Sequence, residues 1–408
     1  MALPSAWRMA RLGEECVINP RRPVDLPRSD AALTSFVPMA AVSALDGSIT
    51  NPELRPFSEV RKGYTYFEES DVLFAKITPC MQNGKHAVAH GLTDRIGFGS
   101  TEFHVIRPGP NVLAEWLHFF LRQRCILEAA TAHLTGAVGQ QRLPDRFLAS
   151  LQLPLPPLPE QRRIAALLTD QLAAVERARA ATEVQLNAAR ALLRAYMNEP
   201  FARGGERWPA RALGEMLRTP LRTGISKPAS VTSRNVCLTL SAVRDGELRL
   251  DESKPVDVDD AVARRNLVKP GVFYVVRGNG NRGLVGRGAF APDVMTRPVM
   301  YPDLLIEVDV DSRIMLPRFL RWLWDSDLLR TQIEDRASTS AGIYKINLRN
   351  LASVQIPVPS LEEQQRIANT LDALGTTVWG IQRTISEQWA GFLELPPTFL
   401  RQAFSGTS

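Results

Sequence analysis

The sequence predicts an α/β (α+β) fold in which one globular domain followed by one long helix is written twice in tandem. Three observations carry this. Residues 148–168 and 351–371 are identical at 13 of 21 positions at a constant offset of 203, close to half of the 408-residue chain. Self-similarity at so long a period means duplication of a whole unit rather than a solenoid. Upstream of each copy, short β-branched and aromatic runs (VLFAKI, TEFHVI, VFYVV, LLIEV) stand between Gly, Pro, Asn and Asp punctuation, the pattern of strands in a compact domain. Downstream of each copy, apolar residues recur every three or four positions for many turns, the pattern of a long helix.

The first globular part, residues 1–157, opens on Trp7 and Leu12-Gly13, answered by Trp208 and Leu213-Gly214 in the second part, residues 200–360. DVLFAKI from Asp71 answers GVFYVVR from Gly271, AEWLHFFL from Ala114 answers PRFLRWLW from Pro317, and GQQRL from Gly139 answers GIYKI from Gly342. Each part leaves through a proline-rich strand, LPLPPLPEQ or IPVPSLEEQ. Proline cannot continue a ladder or a helix interior, but it suits the approach to a helix whose first turn holds Glu.

The first helix, residues 158–199, carries Ile164, Leu168, Leu172, Val175, Ala178, Thr182, Leu186, Ala189, Leu193 and Tyr196 at a mean spacing near 3.6. The second, with a C-terminal segment, spans 361–408 and carries Ile367, Leu371, Leu374, Val378, Ile381, Ile385, Trp389 and Phe392. This alternation is what a helix-on-helix seam requires, so the two helices are expected to pack on each other. The alternative is that each stripe is ordinary core. Gly375, Gly380 and Gly391 each cost up to about 1 kcal/mol relative to alanine in a helix interior. Leu395-Pro396-Pro397 predicts a break before FLRQAFSG, so the second helix is expected to be bent or shorter than the first.

Composition sets the class. Lys plus Arg number 49 against 43 Asp plus Glu, a net charge of +6, with 45% hydrophobic and 23% charged residues, as in a soluble globular protein. No run approaches the roughly 18 apolar residues of a membrane span, and MALPSAWRMARLGEECV holds no signal-peptide stretch, so no membrane partner and a cytoplasmic location are expected. Cys16, Cys80, Cys125 and Cys237 form no C-x-x-C pair and are expected to be buried thiols in a reducing compartment.

The sequence offers no credible active site. Gly278-Asn279-Gly280-Asn281-Arg282-Gly283 fits G-x-G-x-x-G, but LVGRGAF behind it alternates like a second strand and leaves no helix N-terminus for a pyrophosphate. It reads instead as a Gly-rich loop presenting Arg277, Asn279, Asn281, Arg282 and Arg287 to a large ligand. His86 and His90 lie on the strand-like KHAVAH with no acidic residue to complete a metal set, so exposed or hydrogen-bonded histidines are expected. No G-x-S-x-G elbow, Walker loop or N/D-P-P-Y/F tetrapeptide is present. What remains is positive charge, unevenly placed: +1 over residues 1–147, +2 over 148–204, +5 over 205–350 and −2 over 351–408. Only seven of the 49 basic residues are lysines. Arginine is the better bidentate reader of guanine edges and phosphates, although an arginine excess also follows from genomic composition.

The whole-chain duplication, the PLPPLPEQRRIA and PVPSLEEQQRIA approaches to long helices, TGAVGQQRLP before the first of them and the closing FLRQAFSG together resemble the specificity subunit of Type I restriction-modification systems. The resemblance covers essentially all 408 residues, and VLFAKITPCMQNGKHAV also resembles a recurring segment of that family's target recognition domains. It implies two such domains held apart by two helices that form an antiparallel coiled coil. Each domain would read one half of a bipartite, asymmetric site on double-stranded DNA, with the spacing fixed by protein geometry. It implies no catalytic residue, metal or cofactor in this chain. S-adenosylmethionine would be bound by two methyltransferase subunits that methylate adenine, and ATP and Mg by two restriction subunits of the full complex.

The DNA-facing candidates are Lys76, Thr78, Gln82, Asn83 and Lys85, with Gln140, Gln141 and Arg142, in the first domain. In the second they are Arg277, Asn279, Asn281 and Arg282, with Tyr344 and Lys345. Asn and Gln pair bidentately with adenine and Arg with guanine, whereas Lys mostly meets phosphate. Any one of them could instead be a turn residue. Glu160, Gln161, Arg163, Glu363, Gln364 and Arg366, on helix faces outside the mutual seam, are the candidates for methyltransferase contact, or else solvated first-turn residues. Two further readings compete: a decoy or regulatory scaffold that binds the methyltransferase without reading DNA, and a free-standing enzyme.

Overall fold

The structure is a computed structural model and describes residues 4–44, 46–137, 140–204, 207–230, 233–244, 246–340 and 342–405. Gly139 of GQQRL and Gly406 of FLRQAFSG lie outside them. The chain divides into two compact units, Met1–Glu183 with Ser386–Ser408, and Val184–Ile385.

In the first unit the strand Val72–Ala75 is buried along its whole length, as an unbroken apolar run requires. It pairs antiparallel with His86–Val88 on one side and Phe103–Pro108 on the other, which Cys16–Ile18 extends. A second four-stranded sheet is ordered Glu53–Pro56, Leu33–Val37, Ile96–Gly99, Thr65–Glu68, with its middle pair parallel. The helix Ala114–Leu121 lies within the core, and an antiparallel ladder between Arg8–Arg11 and Gln152–Leu155 ties the two ends of the domain together.

The second unit repeats this plan with different strands around it. Phe273–Val276, again fully buried, stands in a six-stranded sheet between Leu305–Val308 and Gly288–Phe290. Ala210–Ala212 pairs with Gln355–Pro357 as the closing ladder. Glu307, buried within Leu305–Val308, is met by Lys269 Nζ at 2.5 Å and the Tyr301 hydroxyl at 2.9 Å, so its charge is not left unpaired in the core.

Leu158–Gly204 is one helix of 47 residues, roughly 70 Å long at 1.5 Å per residue, and Leu361–Ser405 is another of 45. In the first unit Ile164, Ala165 and Leu168 share a core with Leu400, Ala403 and Phe404, while the Arg179 guanidinium lies 5.2 Å over the Trp389 ring. The two helical segments therefore run antiparallel there. In the second unit the end of the first helix, at Met197 and Phe201, shares a core with the start of the second, at Ile367, Ala368 and Leu371.

Several expectations are corrected. The first helix does not end at residue 199 but continues through Pro200, and the second runs unbroken through Pro396-Pro397. A proline in a helix interior costs about 3 kcal/mol. Here the turns beyond the prolines seat Phe201 against Phe319, and Leu400 and Phe404 in the first unit's core, which offsets that cost. Gly375 does not shorten the second helix: a Cβ there would come 2.6 Å from Trp322 Cη2, so glycine lets Trp322 lie on the helix, stacked on Trp379 at 5.7 Å. Tyr196 and Ile381, expected on the seam, are 49% and 47% exposed, whereas Trp389, 38% exposed, keeps its contact with Arg179 of the first helix. The four-residue step from Leu193 brings Met197 to the seam in place of Tyr196.

All four cysteines are free, and only two are buried. Burial pushes the Cys16 and Cys237 thiols up to about 11. Cys125 is exposed because its helix, Arg124–Ala132, buries only Ala130. No helix of the described residues is long and apolar enough to cross a membrane.

Candidate nucleic-acid interface

In each unit the central buried strand delivers the chain to the same place. Past Ala75 the backbone leaves the sheet at Lys76, whose amide donates to the Glu102 carbonyl and whose carbonyl accepts from the Leu143 amide, both at 2.8 Å. Ile77 then bridges Arg142, the Thr78 amide donates to the Gln141 carbonyl at 3.0 Å, and the Gln141 amide donates back to Thr78 Oγ1 at 3.2 Å. Arg142 in turn bridges Thr135. Two segments 64 residues apart, chosen separately in the sequence, thus form one small antiparallel surface.

The second unit builds the same surface in the same register. The Arg277 amide donates to the Leu304 carbonyl at 2.7 Å, and the Arg277 carbonyl accepts from the Ile346 amide at 2.9 Å. Gly278 pairs with Lys345 and Asn279 with Tyr344, and Lys345 pairs with Ser338. Lys76, Thr78, Glu102, Gln141 and Arg142 therefore correspond in place to Arg277, Asn279, Leu304, Tyr344 and Lys345. The backbone frame is duplicated and nearly every outward side chain differs.

The turns beside these surfaces have different local causes. After Pro79, helix-like bonds from Met81, Asn83 and Lys85 back to Ile77, Pro79 and Cys80 fold a compact loop that leaves Gln82 and Asn83 exposed. Lys85 is half-buried, and its Nζ donates to the Met39 carbonyl at 3.1 Å, which ties it to the protein. In the second unit Asn279 and Asn281 use their side-chain oxygens to accept from the amides two residues on, at 2.9 Å each, as asparagine does in turns. Both residues thus hold the loop as well as line it. Arg282 reaches the Glu334 carbonyl at 3.2 Å. The chain after Gly283 forms a short turn and then the strand Gly288–Phe290, so no helix N-terminus stands behind the glycines.

The electrostatics of the two surfaces differ. Arg142 Nε and Nη2 both donate to the Glu102 carboxylate, at 2.7–3.2 Å, and the guanidinium holds that carboxyl below the usual carboxylate range. Lys345 is exposed and meets no carboxylate among the described residues. Glu102 is not among the DNA-facing candidates of the sequence. The signal was available in the alignment of TEFHVI with LLIEV, which sets Glu102 beside Leu304.

The residues expected on the partner face split. Glu160 with Arg163 and Glu363 with Arg366 form exposed pairs one turn apart at 2.7–2.8 Å. Gln161 and Gln364 are fully buried and cannot meet a partner. Gln161 Nε2 donates to the Asn111 and Pro156 carbonyls, and Gln364 Nε2 to those of Ile314 and Pro359. These amides pin the long helices to the domains because the loops there leave backbone groups that only a side chain can satisfy.

Away from this surface, the first unit holds a cleft of about 1060 Å³ lined by His118, Arg122, Glu176, Leu172, Leu393 and Pro397 among others. In the second unit the Trp322–Trp379 stack stands at the corresponding helix position. His86 is fully buried against Phe74, and its Nε2 has no partner among the described residues, which corrects the expectation of an exposed or hydrogen-bonded ring. His90 is exposed and lies 3.1 Å from Glu115. Among the described residues no three side chains form a metal-holding group.

A family model described as the Type I restriction modification DNA specificity domain matches residues 4–184 and 326–388. The chain is 37% identical over 169 residues to the EcoAI specificity subunit of Escherichia coli, across 41% of this chain and 28% of that protein. To the EcoKI specificity subunit of Escherichia coli K12 it is 23% identical across 74% of this chain and 67% of that protein. The alignments to EcoAI and to the EcoEI specificity subunit span less than a third of those proteins' lengths. A solved chain from work on complex assembly and conformational transition of the type I R-M system superposes with a TM-score of 0.80 at 22% identity, covering all of both chains. The HsdS subunit from Thermoanaerobacter tengcongensis gives 0.58, also at 22%, covering all of this chain and 99% of the other. Likeness at this identity is likeness of fold.

Proposed function

This chain belongs to the Type I restriction modification DNA specificity family, and from that premise we propose that each unit reads one half of a bipartite, asymmetric site on double-stranded DNA. One observation carries the proposal. The surface built on Lys76–Thr78 with Gln140–Arg142 recurs, pair for pair, on Arg277–Asn279 with Tyr344–Lys345, while the side chains it displays change. A duplicated frame with divergent amides and cations is what two readers of two different half-sites require, since Asn, Gln and Arg read base edges and Lys follows phosphate.

The two long helices fix the separation of the half-sites and dock two methyltransferase subunits, with the Glu160–Arg163 and Glu363–Arg366 pairs on the docking face. The chain supplies position, and its partners supply chemistry. The methyltransferase subunits bring S-adenosylmethionine and act on a flipped adenine, and two restriction subunits, using ATP and Mg, cleave DNA that lacks the mark.

Methylation sequencing of genomic DNA, from cells with and without this gene and with the methyltransferase expressed in both, tests the proposal. A two-part adenine-methylated motif that disappears with the gene is the expected result. A methylation pattern indifferent to the gene would favour the scaffold that binds the methyltransferase without reading DNA.

A further inference from the structure

We propose that Glu102 makes the Gln140–Arg142 side of the first unit's surface a neutral reader by withholding Arg142 from the DNA backbone, whereas Lys345 makes the Tyr344–Lys345 side of the second unit's surface a charged anchor; this rests on the DNA-reading function above. Arg142 has all three guanidinium nitrogens engaged within the chain. Nε and Nη2 donate to the Glu102 carboxylate, and Nη1 donates to the Gln140 carbonyl at 3.3 Å. The carboxylate is itself well placed to stay: the Glu102 carbonyl accepts from the Lys76 amide, its own amide donates to Ser100 Oγ, and its side chain is only 23% exposed. Two guanidinium N–H groups stay free on a side chain that is 47% exposed, but a phosphate approaching them meets a cation already neutralised and must lie beside the carboxylate that neutralises it. The guanidinium therefore acts as a positioning group that braces the Gln140–Arg142 segment and sets the carbonyl of Gln140 in place. The exposed amides of Gln140 and the half-exposed amides of Gln141 are what this surface offers to bases.

The second unit lacks the brace. Leu304 stands where Glu102 stands, and Lys345, in the place of Arg142, is exposed with no carboxylate on it among the described residues. One duplicated position is thus a neutralised ion pair in the first half and a bare cation in the second, and the difference is set by the residue just before a neighbouring strand, Glu102 or Leu304. Each phosphate neutralised by a protein cation contributes about 0.9 to the slope of log affinity against log salt. The two surfaces are therefore separable by the salt slope, a measurement that a merely structural role would not move.

The full-length chain, assembled with its methyltransferase, is titrated by fluorescence anisotropy against a labelled duplex carrying the motif found by methylation sequencing and against a scrambled duplex, across about 50–200 mM salt. Lys345→Ala is expected to flatten the slope by about 0.9, and Arg142→Ala to leave it unchanged. Glu102→Leu, which copies the second unit, is expected to steepen the slope by about 0.9 and to tighten binding to the scrambled duplex several-fold. Adding Arg142→Ala to that variant returns the slope to its original value. Glu102→Gln, which keeps the side-chain shape, serves the same purpose if the leucine variant fails to assemble. A slope that falls by about 0.9 in Arg142→Ala alone, or one indifferent to both Glu102 variants, overturns the inference. Equal binding of the two duplexes by the unaltered complex would instead overturn the reading function itself.

Discussion

Gln161 Oε1 accepts a hydrogen bond from the Leu113 amide at 2.8 Å, and 203 residues later Gln364 Oε1 accepts from the Leu316 amide at the same distance. Each glutamine satisfies three backbone groups in a site with no exposure. The EQ of each helix start, inside the strongly repeated stretch, is thus half joint and half surface: the glutamine locks the helix to the domain and the half-buried glutamate pairs with an exposed arginine one turn on.

Replacing Gln161 by leucine strands one amide and two carbonyls in the interior. A loss of about 2–4 kcal/mol is expected, read as a lowered urea midpoint, with a similar loss for Gln364→Leu. Glu160→Gln, on the exposed side of the same turn, is expected to shift the midpoint by less than about 1 kcal/mol. Equal effects of the two would mean that the buried amide is not the joint.

The second helix offers a sign test. Gly391→Ala meets open space and is expected to stabilise by up to about 1 kcal/mol through helix propensity. Gly375→Ala drives a methyl into Trp322 and is expected to destabilise by about 1–3 kcal/mol. Thermal unfolding of both variants, with tryptophan fluorescence as the probe for Trp322, checks the pair. A Gly375→Ala protein as stable as its parent would show that the stacked rings do not need that space.

Phe404→Ala opens a cavity beside Trp116 and Phe120 and is expected to cost about 3–5 kcal/mol. The same change at Phe201 empties the site against Phe319. Hydrogen exchange should assign the loss to the first unit for Phe404→Ala and to the second for Phe201→Ala. Exchange that rises equally everywhere in both variants would refute two separate cores.

Stability should fall on mild acidification. Burial holds His86 well below the usual imidazole range and His118 down to about 3, so both are neutral when folded at neutral pH. An unfolded chain takes up those protons near pH 6.5, about the unperturbed histidine value. The stabilisation is therefore complete above about pH 6.5 and is lost progressively as pH falls toward 3. The unfolding midpoint of the parent protein is expected to drop between about pH 7 and 5, and more shallowly for His118→Gln. Identical slopes would sink the assignment.

The duplication, the two helices and the central strands were legible because each rests on local pattern: a repeat, a 3.6 period and unbroken apolar runs such as VLFA and FYVV. The helix ends were not, because Pro200 and Pro396-Pro397 are overridden by aromatic side chains that find their partners far away in the sequence. The same limit governs the interface. Gln141 and Lys345 could be chosen by type, but that Thr78 meets Gln141 and that Glu102 occupies Arg142 are facts of long-range pairing. Gln161 shows the converse error: a polar residue in a helix's first turn looks exposed until the loop that needs its amide is in view.

The seat of Phe404 beside Trp116 also imposes a schedule on synthesis. The second unit is one contiguous stretch, Val184–Ile385, whereas the first borrows its last pieces from residues 386–408. At about 5–20 residues per second a ribosome delivers Phe404 roughly 15–60 s after Trp116. The unit made first is therefore finished last. Until Phe404 emerges, the site beside Trp116 and Phe120 stands unfilled on the nascent protein, with its aromatic surface open to solvent.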